Sequence, residues 1–166
     1  MMFRHLRLAG FKSFADTAEL DIEPGLTGIV GPNGCGKSNI VEALRWVMGE
    51  TSAKQMRSNE MDDVIFSGTS SKAARNLAEI SLILDNEQKK APSEYNDRDE
   101  IEVVRKIIRG KGTNYRINNR PARARDVQLL FADSATGARS AGIVSQGRIG
   151  AIIGAKPDER LSLIHI

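Results

Sequence analysis

Apolar and polar residues alternate along much of this chain in segments of strand length. In the stretch "FRHLRLAGF" the two kinds of residue take turns, which is typical of a strand with one buried face. The same pattern, together with short apolar runs, predicts strands at residues 3–11, 18–22, 26–31, 63–68, 78–85, 101–109, 113–118 and 142–147. Asn118-Asn119 predicts a tight turn after one of these strands, because asparagine tolerates a positive φ.

The period changes in the segment from Lys37 to Gly49, where apolar residues recur every three or four positions and predict an amphipathic helix. A shorter helix is predicted for residues 123–133. The polar segments 51–62 and 86–100 are expected to be loops, the second of them mobile. Strands followed by a strand–loop–helix unit and then by more strands indicate an α/β fold with a mixed sheet rather than a regular doubly wound one.

Composition bounds the class of protein. With 166 residues, 40% of them hydrophobic, the chain can form one domain with a substantial core. No apolar run approaches the roughly 18 residues of a membrane span, so we expect a cytoplasmic protein with no membrane partner. The single cysteine, Cys35, has no partner for an internal disulfide, and the two distant histidines, His5 and His165, do not predict a metal cluster.

The net charge of +3 is unevenly distributed. Residues 105–125 contain eight lysines and arginines and no acid, whereas residues 85–102 contain seven acids and three bases. Two interpretations stay open for the basic segment: a solvated face, or a surface that binds the phosphates of nucleic acid. The candidates for the second are Arg116, Arg120, Arg123 and Arg125.

The segment from Gly31 to Ser38, "GPNGCGKS", matches the pattern G-x-x-x-x-G-K-[ST] between a predicted strand and a predicted helix. Glycines let successive backbone N–H groups point at phosphate oxygens, and the helix N-terminus adds partial positive charge there. Lys37 is expected to reach the β- and γ-phosphates, and the Ser38 hydroxyl to bind Mg²⁺. The motif predicts ATP and Mg²⁺ as ligands, and a degenerate phosphate-binding loop is the alternative. Cys35 is interpreted as a small side chain that fits the loop.

Hydrolysis needs more than this loop, since a Walker B acid must hold Mg²⁺ and another group must position water. Asp85 follows an apolar run, but the polar turn after it favours a strand end over a Walker B residue. No ABC signature segment occurs in the sequence. Gln146 lies 109 residues after Lys37 at the end of a predicted strand, from which it is a candidate to contact Mg²⁺ or the attacking water.

Five segments occur in an order that resembles the N-terminal head segment of bacterial chromosome-partition SMC (structural maintenance of chromosomes) ATPases. They are "LRLAGFKSFAD", "GPNGCGKSNIVEALRWVMGE", "MDDVIFSGT", "YRINNRPARARDVQLLF" and "SQGRI". The resemblance covers residues 1–160 and implies the N-terminal lobe of an ABC-type, P-loop ATPase head. It implies that a coiled coil and a hinge separate this lobe from a C-terminal head segment carrying Walker B and the signature. This segment alone is then expected to be inactive.

The resemblance also implies partners and site residues. Partners would be double-stranded DNA, the C-terminal head segment of the same chain, a second copy through heads and hinge, and kleisin-type subunits, in the nucleoid. Arg57 matches the R-loop arginine near the nucleotide, and Gln146 matches the Gln-loop residue near Mg²⁺. Lys12, Ser13 and Phe14 lie where relatives line the base and ribose side of the nucleotide. Glu60 departs from the basic residue that relatives often carry there, which counts against DNA contact through that loop. The ATP loop itself would comprise Pro32, Asn33, Gly34, Cys35, Gly36, Lys37, Ser38 and Asn39.

Three other classes of protein compete with this interpretation. An SMC-like repair ATPase of the RecN or RecF type is disfavoured by "GFKSFAD" together with "SQGRI". An ABC transporter nucleotide-binding subunit should have its Gln loop much closer to the P-loop and carry its signature in the same chain. A self-contained nucleotide-sensing module is disfavoured by residues 161–166, "LSLIHI", which match a translated sequencing adapter and are expected to be an artefactual tail.

Overall fold

The computed structural model describes residues 1–25, 27–53, 56 and 60–133. The described residues include the α-helices Lys37–Val47 (α1) and Ala124–Asp133 (α2) and short 3₁₀ helices at Met61–Val64 and Ser93–Tyr95. The strands are Met2–Ala9 (β1), Ala18–Asp21 (β2), Leu77–Asp85 (β3), Glu100–Ile108 (β4), Gly112–Ile117 (β5) and Arg120–Ala122 (β6). No helix of the described residues is long and apolar enough to cross a bilayer.

The strands form one six-stranded sheet in the order β2-β1-β3-β4-β5-β6. Neighbouring strands are antiparallel at every junction among the described residues. The α/β class is therefore confirmed, but the parallel pairs of a mixed sheet do not occur in the described part of the chain. Asn118 and Asn119 join β5 to β6 with φ values of 47° and 65°, so the predicted positive-φ turn is confirmed.

The core lies on one face of this sheet, where both helices pack. Helix α1 covers β3 and β4, and α2 covers β5. Alternate residues of the strands point at the helices, as Leu6, Leu8, Ile80 and Leu82 show with at most 1% of their surface exposed. Trp46 of α1 is fully buried, and its ring lies 5.5 Å from the ring of Phe11. The two-residue period of the strands and the helical period of α1 thus place their apolar faces together.

The strand predicted for residues 26–31 does not form in the described part of that segment, where residues 27–31 are irregular. Ile29 is 45% and Val30 94% exposed. A short apolar run becomes a strand only when a neighbour satisfies its backbone, and no described strand pairs with this one. The strand predicted for 63–68 is also wrong, because a 3₁₀ helix occupies its start and Ile65 makes a single bridge with Phe11.

The polar segment between β3 and β4 is organised around Asn86, which is 1% exposed. Its amide donates to the Arg98 carbonyl at 2.8 Å, and its side-chain oxygen accepts from the Ala91 N–H at 2.9 Å. Its own N–H donates to the Asp99 carbonyl at 2.7 Å. One buried asparagine therefore ties both ends of a loop whose composition alone predicts a mobile excursion.

Candidate phosphate-binding site

The loop ahead of α1 depends on glycine at Gly34 and Gly36, whose φ values are 84° and 96°. Gly36 is the N-cap of α1, and a Cβ there would lie 2.6 Å from Ser13 Oγ and 3.1 Å from Phe14 Cζ. Both the left-handed backbone and the close packing exclude a larger residue at Gly36. The start of α1 carries no side-chain cap and no acidic residue in its first turn. Its N-terminal partial positive charge is thus left to attract an anion.

Lys37 folds back over this loop. Its ammonium donates to the carbonyls of Gly31 and Pro32 at 2.5 Å each and lies 3.9 Å from the Cys35 sulfur. The amine is therefore held at the concave side of the turn, where phosphate oxygens would replace the carbonyls as its partners. Ser38 is exposed in the first turn of α1. The structure thus places Lys37 and Ser38 at the start of α1, beside the glycine loop.

The turn between β1 and β2 supports the loop from behind. Asn39 donates from its side-chain amide to Ser13 Oγ at 2.8 Å, which ties this turn to the first turn of α1. Lys12, the neighbour of Ser13, has φ of 47° and directs its ammonium away from the loop to Glu42 of α1, at 2.5 Å, and to the Met56 carbonyl. Ser13 therefore lies beside the phosphate loop, whereas Lys12 lies beside the middle of α1.

The basic segment divides into a buried and an exposed part. Arg105 is 1% exposed and belongs to the core, where its guanidinium lies 4.3 Å from the centre of the Trp46 ring and 4.7 Å from that of Tyr115. The expectation that the whole segment 105–125 forms a basic surface is wrong at this residue. The four candidate arginines lie around the β5–β6 hairpin and the start of α2, with the last three exposed and the first half-buried: Arg116, Arg120, Arg123 and Arg125.

Several predicted residues lie elsewhere. Arg57 and Gln146 fall outside the residues that the structure describes, as do residues 161–166. Asp85 ends β3, and its carboxylate accepts the Glu87 N–H at 2.9 Å, which agrees with a strand-end turn. Glu60 precedes the first 3₁₀ helix, and its N–H donates to the Asp63 carboxylate at 2.9 Å. Among the described residues, no group of three potential ligands is placed to hold a metal by itself.

Sequence reasoning missed Glu42 and Arg105, two buried charged residues that contact α1 or lie within it. Glu42 sits among apolar residues of a helix, and Arg105 follows the alternation of β4 on its buried face. The only sequence signal was positional, since the two-residue period of β4 places Arg105 with Val103 and Ile107. A charged residue at a position that the strand period assigns to the core was the observation to follow.

A glycine-dependent loop at the N-terminus of an amphipathic helix, packed on a sheet, is the arrangement of P-loop proteins of the α/β class. The sequence model described as "RecF/RecN/SMC N terminal domain" matches residues 2–139. The chain belongs to this family.

Curated relatives agree with the family assignment. The chain is 59% identical over 165 residues to the chromosome partition protein Smc of Rhodopseudomonas palustris and 54% identical to that of Cereibacter sphaeroides. In each case 99% of this chain is aligned, but it spans only 14% of the relative's length. The resemblance to SMC proteins inferred from the motifs is thereby confirmed, and the alternatives are not favoured.

Solved structures share the fold. A chain from a study of ATP-driven dimerization and DNA-stimulated activation of SMC ATPases is 32% identical, with a TM-score of 0.87 over 99% of this chain and 98% of that one. The SMC head domain from Thermotoga maritima is 33% identical, with a TM-score of 0.72 over 94% of this chain and 52% of that one. An Smc head bound to the C-winged helix domain of ScpA also has a TM-score of 0.87, at 32% identity, over 98% of this chain and 50% of that one.

Proposed function

We propose that the chain is the N-terminal lobe of the ATPase head of a chromosome-organising SMC protein and that it binds ATP with Mg²⁺. The observation that carries this proposal is the loop before α1. Lys37 lies over the Gly31 and Pro32 carbonyls, and Gly36 adopts a backbone that only glycine tolerates well. Residues 32–39 would cradle the phosphates, Lys37 would neutralise the β- and γ-phosphates, and Ser38 would hold Mg²⁺.

Further site residues follow from the family resemblance. Ser13 would line the base and ribose side, which its contact with Asn39 supports. Lys12, predicted at the same place, would reach the nucleotide only by leaving Glu42. Gln146 would complete the Mg²⁺ shell and orient water, and Arg57 would act near the nucleotide.

Hydrolysis would require a second protein segment. Walker B and signature motifs are absent from the sequence, so a C-terminal head segment would supply the first and the head of a second copy would supply the other. ATP clamped between two heads would hold them together until hydrolysis releases them. A kleisin-type subunit is a further partner, by analogy with the Smc head that was solved with ScpA.

DNA would be the substrate on which the heads act, in the nucleoid. The four exposed or half-exposed arginines near the β5–β6 hairpin supply positive charge without an intervening acid: Arg116, Arg120, Arg123 and Arg125. Arginine contacts of this kind bind phosphates, so DNA binding would be insensitive to base sequence and would weaken steeply as the salt concentration rises. Replacing all four by alanine should flatten the salt dependence, while an unchanged salt slope would remove this surface from the proposal.

The decisive experiment pairs this chain with the C-terminal head segment of the same protein and measures binding and hydrolysis of ATP with and without DNA. Hydrolysis should require both segments and should be lost in Lys37→Ala. Lys90→Ala is the matched control, because Lys90 is an exposed lysine of the β3–β4 loop. Hydrolysis by this chain alone, or full activity in Lys37→Ala, would contradict the proposal.

A further inference from the structure

The turn between β1 and β2 joins parts of the fold that are distant in sequence. Its backbone is closed by a hydrogen bond of 2.8 Å from the Phe14 N–H to the Phe11 carbonyl. The Lys12 N–H donates to the Val64 carbonyl at 2.7 Å, which anchors the turn to the segment after α1. From this anchored turn, Ser13 contacts the start of α1 and Lys12 contacts its middle. Two adjacent side chains therefore connect the turn with two levels of the P-loop helix.

The contact made by Lys12 is buried on both sides. Its side chain is 12% exposed, that of Glu42 is 8% exposed, and their charged atoms are 2.5 Å apart. The same ammonium donates to the carbonyl of Met56, a residue with no exposed surface that follows α1 by nine positions. Lys72 and Asp16 form an ion pair of the same length at the surface, with 53% and 62% of their side chains exposed. Removing one partner of the buried pair would leave an uncompensated buried charge, whereas water can solvate either partner of the exposed pair.

We propose that Lys12 is a positioning residue that fixes the segment after α1 to the P-loop helix through Glu42. The ammonium bridges a carboxylate on α1 and a backbone carbonyl at Met56, so a shift of α1 along its axis is transmitted to the chain at Met56. Arg57, the residue that family resemblance places near the nucleotide, is next in sequence. This inference deepens the proposed function. The consequence at the nucleotide rests on the proposed function, whereas the position of Met56 does not.

The geometry distinguishes this role from direct contact with ATP. To touch a nucleotide, the Lys12 ammonium would have to leave a buried carboxylate and a buried carbonyl. That move would strip Glu42 of this cation in a site where water does not replace it. Lys12 also has a φ of 47°, a backbone conformation that is uncommon for a residue other than glycine. This conformation sets the direction in which the Lys12 side chain leaves the turn. Both observations favour a fixed bridge.

The test is amide hydrogen exchange on this chain paired with the C-terminal head segment, in Lys12→Leu, Glu42→Gln and the charge swap Lys12→Glu/Glu42→Lys. Removing either charge should speed exchange at residues 50–53 and 56 by roughly tenfold while β3 and β4 keep their protection. The Kd for ATP with Mg²⁺ should stay within about threefold, since no direct contact is lost. The swap restores opposite charges but leaves position 12 without a donor for the Met56 carbonyl, so exchange should stay fast in it. Lys72→Leu, at the exposed pair, is the control and should change neither quantity.

Other results of these measurements would count against the inference or would separate it from the proposed function. Unchanged exchange at residues 50–53 and 56 would overturn the inference, and a Kd raised more than about tenfold alongside it would place Lys12 against the nucleotide. If Lys12→Leu also loses the protection of β3 and β4, the conservative variant Lys12→Arg tests the inference instead. Retained protection in Lys12→Arg supports the bridge, and lost protection refutes it. Failure of the proposed function would show separately, as ATP binding that Lys37→Ala does not weaken.

Discussion

Replacing Arg105 by methionine removes a cation from the interior of this fold. The guanidinium lies between the Trp46 and Tyr115 rings, and its Nη1 donates to the carbonyls of Trp46 and Glu50 at 2.6 Å each. Its Nε donates to the Thr113 hydroxyl at 3.2 Å. The Trp46 carbonyl lies at the C-terminal end of α1, where a positive charge interacts favourably with the helix dipole, and Glu50 lies three residues beyond that end. Methionine fills a similar volume but makes none of these polar contacts.

Two opposing effects determine the magnitude. Burial lowers the pKa of Arg105 to about 10 from its usual 12.5, which corresponds to a cost of about 3 kcal/mol for holding the charge inside. Hydrogen bonds from a charged donor contribute about 1.5–3 kcal/mol each, and a desolvated cation–π contact about 2 kcal/mol. The contacts outweigh the burial cost by several kcal/mol, and packing of methionine recovers part of the loss. We expect Arg105→Met to lower the free energy of unfolding by about 3 kcal/mol.

Urea unfolding measures this difference. With a slope of about 2 kcal/mol per molar, the midpoint of Arg105→Met should fall by roughly 1.5 M, while Arg109→Met, on an exposed arginine just after β4, should shift it little. Arg105→Lys keeps the charge without the planar fork and should fall between the two. A midpoint for Arg105→Met equal to that of Arg109→Met would refute the reasoning, because it would mean that the burial cost cancels the stacking and hydrogen bonds.

Three further substitutions test other contacts. Gly36→Ala should weaken ATP binding at least about tenfold in a nucleotide titration. It should also destabilise the fold more than Gly110→Ala in urea unfolding, because both glycines have a positive φ but only Gly36 is crowded by neighbouring residues. Tyr115→Phe should cost little at pH 8, because the buried hydroxyl has no hydrogen-bond partner among the described residues. Burial raises the pKa of Tyr115 to about 12. The wild-type protein should therefore lose stability relative to Tyr115→Phe as the pH rises from 10 towards 12, and unfolding measured at pH 8 and at pH 10.5 checks this. Asn86→Ala should cost about 1–3 kcal/mol in urea unfolding and speed cleavage of the β3–β4 loop by protease, whereas Gln88→Ala should do neither.

The sequence predicts those parts of the fold that local patterns specify. Strands β3, β4 and β5 and both helices were predicted because each has a buried face whose period is two or 3.6 residues. The phosphate loop was predicted because a short motif specifies its backbone as well as its chemistry. In each case the physical cause of the structure lies within one segment.

The errors concern features that depend on distant neighbours. Residues 26–31 have the apolar composition of a buried strand, yet no described strand pairs with them, and composition does not reveal that. The nucleotide contact of Lys12 was assigned by resemblance alone and stays a prediction, but its contact with Glu42, 30 residues away on a helix, was not foreseen. Arg105 was grouped with surface arginines because charge was counted along the chain instead of along the buried face of β4. Tertiary pairing of buried charges is not encoded in any local period.

The contacts of α1 suggest why its surroundings bear on nucleotide binding. Its start is packed by the β1–β2 turn at Gly36, and Arg105 donates to the carbonyls of Trp46 in its last turn and of Glu50 just after it. A phosphate bound at the loop would place negative charge at the N-terminal end of the helix. Arg105 places positive charge at the other end, and both charges interact favourably with the helix dipole. The helix that follows the loop is therefore held by strand β4 at one end and by the β1–β2 turn at the other. A change at Arg105 should accordingly alter the affinity for ATP in variants that still fold, although Arg105 contacts only the far end of α1.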